Sequence, residues 1–222
     1  MKSNFEFIKK HFPKLYENAI ASESLIFSTP RASCFYARFT LEQAVLWLYD
    51  NEPYLKFPSN DPKDNNLGVL IHETTFQDNL AQGLFPKIKL IHKLGNIAVH
   101  SDREINQNDA LKIVKELFHF LYWLCRYYTT NGRNLGNLNF DESLITKTTE
   151  KPQFDIKQLQ ELEEKLKLTE ELQRIAEEKA QKTEAELLKI QAEIDQIKQE
   201  NHQVADNHDY NEAETRTSLI DV

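Results

Sequence analysis

Glycine and proline are scarce in this chain, five and seven among 222 residues, and that scarcity argues first against the turn-rich β folds. Cysteine is scarcer still. Cys34 and Cys125 both sit in apolar stretches, so a disulfide framework is unsupported and two reduced, buried thiols are expected. No segment approaches the ~18 uninterrupted apolar residues of a membrane span, and the opening Met1-Lys2-Ser3-Asn4-Phe5-Glu6 lacks the apolar run of a signal peptide. These absences predict a soluble, cytoplasmic protein without membrane contact. A basic excess is also missing. Residues 1–150 hold 17 Lys+Arg and 17 Asp+Glu, while residues 151–222 hold 10 and 18, so the net charge of −8 lies in the tail. Bulk charge therefore gives no footprint for nucleic acid.

What is present is helical periodicity. Phe5, Ile8, Phe12, Leu15, Ala19 and Leu25 or Ile26 recur at helical spacing over residues 4–28, with Pro13 as an interruption or a helix start. Thr29-Pro30 opens a second helix, a cap followed by proline at the first position, running through Phe35, Phe39, Ala44, Trp47 and Leu48 to about Tyr49. Residues 51–66, with Pro53, Pro58 and Pro62, predict a surface loop, and Leu67 to Leu84 predicts one or two short helices ending near Gly83. Phe85-Pro86 starts another helix, and residues 101–107 predict a polar loop. Asn106 or Asn108 then caps a strong helix carrying Ala110, Ile113, Val114, Leu117, Phe118, Leu121, Leu124 and Cys125 and ending near Tyr128. Its aromatics, Phe118, Phe120, Tyr122, Trp123, Tyr127 and Tyr128, fit a core at this spacing, with nucleic-acid stacking as the alternative. The expected architecture is all-α: a bundle of about five helices over residues 1–130, a linker or strap over 131–155, and a long coiled-coil helix over 156–200.

The long helix rests on a change of character. From about Ile156 to Gln199 there is no glycine, proline or aromatic residue, and Ala176, Ala180, Thr183, Leu187, Ile190, Ile194 and Ile197 alternate spacings of four and three, a coiled-coil seam. Leu159, Leu162 and Leu166 are in phase with it, and Leu168, Leu172 and Ile175 offer a shifted stripe, as a stutter would. A helix of roughly 65 Å calls for a partner, whether a second copy through residues 156–200, another subunit or a following domain; a lone charged spacer helix is the alternative. Residues 201–211 are a polar linker, and Glu212 to Val222 starts an amphipathic helix that stops in mid-pattern, which predicts a truncated larger protein.

One stretch departs from a plain core helix: Leu90-Ile91-His92-Lys93-Leu94-Gly95-Asn96-Ile97-Ala98-Val99-His100. His92, Asn96 and His100 are four apart and fall on one helical face. A polar stripe among apolar neighbours is either a buried hydrogen-bond network or a site. A metal shared by His92 and His100 would require distortion, since eight residues of helix separate them by ~12 Å.

Two segments together, Arg31 to Val45, with Ala37-Arg38-Phe39-Thr40-Leu41-Glu42-Gln43-Ala44-Val45, and Ile91 to His100, resemble the helical domain DUF4145, which often stands at the amino terminus of the R subunit of type I restriction enzymes. A long helix and then Asn211-Glu212-Ala213-Glu214-Thr215-Arg216, with Leu219-Ile220-Asp221, follow in the same order. A neutral head on an acidic amphipathic helix, with no full catalytic set, then predicts a non-catalytic assembly or scaffold region without a cofactor of its own, docking the subunit onto the methyltransferase core or pairing two R subunits. Its parent would be an ATP- and Mg²⁺-dependent DNA translocase and endonuclease of antiviral defence, with methyltransferase and specificity subunits as partners and DNA contacted through the parent. Glu212 or Glu214 resembles the acidic residue of the nuclease's first helix. The domain also resembles the wider HEPN group, many of them ribonucleases, whose site pairs an arginine with a polar residue and a histidine several residues on. Asn96 and His100 match that pattern, while His92, with Lys93 beside it, stands where related R subunits usually carry arginine. Losing the guanidinium removes the fork that grips phosphate at two points. Three readings of His92, Asn96 and His100 follow: ties from the helix to neighbouring backbone, a degenerate nucleic-acid or dimer contact, and an active ribonuclease. A purely structural coiled-coil dimer is the remaining alternative for the whole chain.

Overall fold

The computed structural model describes residues 2–130, 132–145 and 157–165, together with positions 168, 186, 187 and 189–191. Its described residues are all-α, with no strand among them. The chain divides into two units, Met1–Leu162 and Glu163–Val222. The described residues of the second unit are helical. Most of the coiled-coil seam and the terminal segment with Glu212 and Glu214 lie outside the described residues.

Among the described residues, the first unit's bundle is built from α1 Pro13–Ser24, α2 Pro30–Asn51, α3 Leu67–His72, α4 Thr74–Asn79, α5 Leu84–His100 and α6 Gln107–Tyr128. Short 3₁₀ turns at Glu6–Ile8, Pro62–Asp64, Gly132–Asn134 and Glu142–Leu144 punctuate the connections. Proline sets two helix starts. Pro13 and Pro30 each occupy the first turn, where a missing N–H costs nothing, so residues 4–12 hold only the short 3₁₀ turn Glu6–Ile8 rather than one helix running from residue 4. Thr29 holds the N-cap position of α2, yet its side chain accepts no capping hydrogen bond. Asn106 does cap α6, its side chain accepting from Asp109 N at 2.9 Å. Gly83 precedes α5 at φ 82°, a left-handed conformation that a side chain would strain.

α2 is the central helix, packed against α1, α5 and α6. It is buried almost all round: Ala32, Cys34, Phe35, Ala37, Leu41, Ala44, Val45 and Leu48 are fully enclosed, with Phe39 at 1% exposure. That explains its weak amphipathicity, since a helix apolar on every side belongs inside a bundle. Around it, α6 contributes Ile113, Val114, Leu117, Phe120, Leu121 and Leu124, and α5 contributes Ile88, Ile91, Ala98 and Val99. Aromatic edges close the seams: Phe12 meets Trp47 at 5.0 Å, and Trp47 meets Tyr128 at 5.9 Å. α3 and α4 are secured by Tyr49, whose hydroxyl donates to Leu70 O at 2.8 Å and whose ring stacks on Phe76.

The amino terminus is held by a buried carboxylate. Glu23 accepts from Ser3 Oγ, from Asn4 N at 3.1 Å and from Asn4 Nδ2 at 2.6 Å. Asn4 in turn pairs with the backbone of Asp141 in both directions, at 3.0 and 2.6 Å. Residues 132–145 thus lie along the bundle, with Phe140 edge-on to Phe118 and Gly136 O accepting from Tyr122. Helical residues 157–162 also reach this unit: Leu159 is fully buried and Gln160 donates to Val99 O at 2.9 Å.

Candidate functional site

The polar stripe of α5 splits into two parts in space, a bonded pair and a separate histidine. His92 and Asn96 are brought together, with Asn96 Nδ2 donating to His92 Nε2 at 2.9 Å. Nε2 is therefore the acceptor, and the ring proton belongs on Nδ1. Burial, and then the positive fields of Arg38 and His72, push the His92 imidazole below its ordinary 6.5. His100 stands apart. It is the last residue of α5, exposed, and its side chain bonds no described residue.

Gly95, between the two halves of the motif, is explained by α2. A Cβ at residue 95 would stand 2.2 Å from Arg38 Cβ, 2.7 Å from its Cδ and 2.8 Å from its Cγ. The stem of Arg38 lies across α5 at that point, and only a glycine leaves room for it. The guanidinium reaches Glu42 one turn along α2, at 3.5 Å, with both side chains about nine-tenths buried. A buried pair of this kind is held by geometry rather than by net stabilisation, and deleting one partner costs far more than the pair contributes. On the other side of His92 lies α3. A Cβ at Gly68 would meet His92 Cε1 and Asn66 Oδ1 at 3.2 Å each, so this helix start is seated directly on the imidazole. Asn66 caps α3 through Val69 N, and His72 pairs with Gly68 O at 2.7 Å.

Arg31 completes the arrangement at the far end of α5. Its Nη1 donates to Ile97 O, Ala98 O and Ser101 O at 3.1, 2.9 and 2.8 Å, and its Nη2 to Arg103 O at 2.7 Å. The last carbonyls of a helix have no partner within it. Here a single guanidinium serves several of them, with Gln160 taking Val99 O. The positive charge also suits the negative end of the helix dipole.

The chemistry follows from those commitments. His92 spends its free lone pair on Asn96. Arg38 is enclosed, and Arg31 is engaged by backbone carbonyls. His100 is open to solvent, but a base alone does not stabilise charge on a phosphate. Among the described residues no group of three or more His, Cys, Asp and Glu side chains is placed to hold a metal ion. Glu212 and Glu214 lie outside the described residues. Concentrating on α5 alone misses Arg31 and Arg38; the available signal was their seven-residue spacing on α2, two helical turns, opposite a glycine in the partner helix.

Fold and site together define an all-helical domain organised on one buried helix, with a Gly-Asn-x-x-x-His segment packed against the arginine face of that helix. The chain belongs to the family described as a domain of unknown function, DUF4145, which matches residues 20–165 and so spans both arginines and the whole of α5. No curated protein and no solved structure matches the chain. Among the described residues no helix is long and apolar enough to cross a membrane.

Proposed function

We propose that this chain is a non-catalytic helical assembly domain, the amino-terminal part of the restriction subunit of a type I restriction–modification system, and that it docks that subunit onto the methyltransferase and specificity subunits. The observation that carries the non-catalytic reading is that the motif's polar side chains are engaged within the fold: Asn96 on His92, Arg38 on Glu42 and Arg31 on the end of α5. Motor and nuclease chemistry, with its ATP and Mg²⁺, then belongs to the parent protein. The restriction-subunit assignment is supported by the order of three sequence features: the DUF4145 region, the seam of residues 156–200 and the Asn211-Glu212-Ala213-Glu214 segment. The seam has an accessible apolar edge where it is described, Leu187 and Ile190 being 62% and 52% exposed, one turn apart. Such a stripe is what a partner helix covers.

Deleting residues 1–200 from the parent subunit is expected to abolish its co-purification with the methyltransferase and specificity subunits, and unchanged co-purification refutes the assembly role. One observation favours a second reading. His100 is exposed and uncommitted, as the histidine of a ribonuclease site completed across a dimer would be. RNA cleavage by the full chain that disappears in His100→Ala establishes that reading instead.

A further inference from the structure

The geometry points to a nucleotide-binding cleft at the carboxyl end of α6, formed by Arg126, Tyr127 and Arg133, remote from the α5 motif and independent of the assembly reading. Among the described residues, these three line a cavity of about 360 Å³. That is the lower end of the size range of small-molecule sites, and suits one nucleotide unit.

The cleft is built, not a chance meeting of long side chains. Arg126 is positioned by Tyr122: its Nη1 donates to the Tyr122 hydroxyl at 2.7 Å, and the guanidinium lies 5.9 Å from that ring's centroid. Tyr122 is itself fixed, its hydroxyl donating to Gly136 O at 2.6 Å. Arg133 is delivered by the 3₁₀ turn Gly132–Asn134. A Cβ at Gly132 would stand 2.2 Å from Cys125 O and 2.4 Å from Arg126 O, so the turn rests on the backbone of α6 and any side chain there would lift Arg133 away. Tyr127 is braced by Trp123 at 6.1 Å, yet its ring remains 67% exposed. Beyond the bond to Tyr122, neither guanidinium is engaged by a described residue, and among the described residues no carboxylate lines the cavity.

Two guanidinium forks beside an open phenol ring match a phosphate carrying an unpaired base. The forks take the phosphate oxygens, and the ring face stacks on the base. A paired base inside a duplex offers no free face, so the ligand is a nucleotide unit of a single strand, or a free nucleotide of the same chemistry. The surrounding domain is electrically neutral, which confines the attraction to the cleft. Two phosphate contacts on a single strand give a slope of log affinity against log salt of about −1.4.

Fluorescence anisotropy of the full chain with a labelled twelve-nucleotide oligothymidylate, at low salt, tests the cleft. Arg133→Gln is expected to weaken binding about tenfold and flatten the salt slope by about 0.7, with Arg133→Lys between it and the native protein. Tyr127→Ala is expected to weaken binding about tenfold at an unchanged slope. Both side chains are exposed, so the variants fold, and their melting transitions verify it. Thymidine monophosphate and inorganic phosphate serve as competitors. Strand binding far tighter than the monophosphate assigns the site to single strands; equal binding assigns it to free nucleotides, and either supports the cleft. No binding at low salt, binding unchanged in both variants, or inorganic phosphate competing as well as the monophosphate overturns it.

Discussion

Arg31 and Arg38 are seven residues apart, and so are Arg126 and Arg133. The first pair lies on one continuous helix, two turns apart, and faces α5. The second pair straddles the end of α6, with the Gly132 turn folding the second arginine back beside the first. The surroundings then separate them. Arg31 meets a helix terminus whose carbonyls need donors, and Arg38 is sealed under Gly95 with Glu42. Arg126 and Arg133 meet a tyrosine hydroxyl and open solvent. One side-chain chemistry thus closes the bundle at one end and leaves donors available at the other. An arginine counted as a functional candidate from sequence acquires its role from what saturates its five N–H groups.

The largest test of that contrast is Gly95→Ala. In a helix interior this exchange normally stabilises by ~1 kcal/mol. Here the new methyl meets Arg38 Cβ, an atom fixed to its own backbone and unable to swing away. Overpacking of this kind leads to an expected net loss of about 3 kcal/mol. Urea denaturation measures it, and a gain in stability would show that α2 and α5 are not locked at this crossing.

Arg31→Ala comes next. It strips the guanidinium from Ile97, Ala98, Ser101 and Arg103 carbonyls. Hydrogen bonds from a charged donor contribute more than neutral ones, and the expected loss is about 2 kcal/mol. Arg31→Lys is expected to recover little, because an ammonium does not span that fork. The matched control is Arg133→Ala, expected to stay within ~0.5 kcal/mol as an exposed substitution away from packing. Equal losses for residues 31 and 133 would erase the distinction between the two pairs.

Much of this was legible in the chain. The prolines at 13 and 30, the cap at Asn106 and the apolar periodicity of α6 express local backbone chemistry, and they set boundaries close to those observed. The scarcity of glycine and proline likewise predicted an all-α fold. The polar stripe was legible as a feature but not as an arrangement. Four-residue spacing places His92, Asn96 and His100 on one face, yet only tertiary packing decides that α3 covers His92 while His100 stays in solvent. Gly95 was visible, but its reason lies 57 positions earlier in Arg38, a contact no local rule supplies. The cleft at α6 was harder still. Its aromatics repeat with core periodicity, and Tyr127 is distinguished from its buried neighbours only by the place where the helix ends.

The smallest expected effect concerns His92, whose ionisation the fold perturbs. Its folded imidazole binds a proton at lower pH than the ordinary 6.5, because burial, Arg38 and His72 all disfavour the cation. The unfolded chain therefore takes up this proton first as pH falls. Its contribution to stability is intact above about 6.5, is drawn down through the interval beneath, and levels off once the folded ring is protonated too. Protonation also removes the Nε2 lone pair that accepts from Asn96, so the same step breaks the only side-chain link within the stripe. His92→Gln keeps an acceptor and cannot titrate. Melting curves between pH 7.5 and 5.5 are expected to fall less steeply in His92→Gln than in the native chain, the difference isolating this imidazole from the other histidines. Parallel curves would place the His92–Asn96 pair outside the energetics of the α2–α5 contact and leave Arg31 and Arg38 as its sole polar supports.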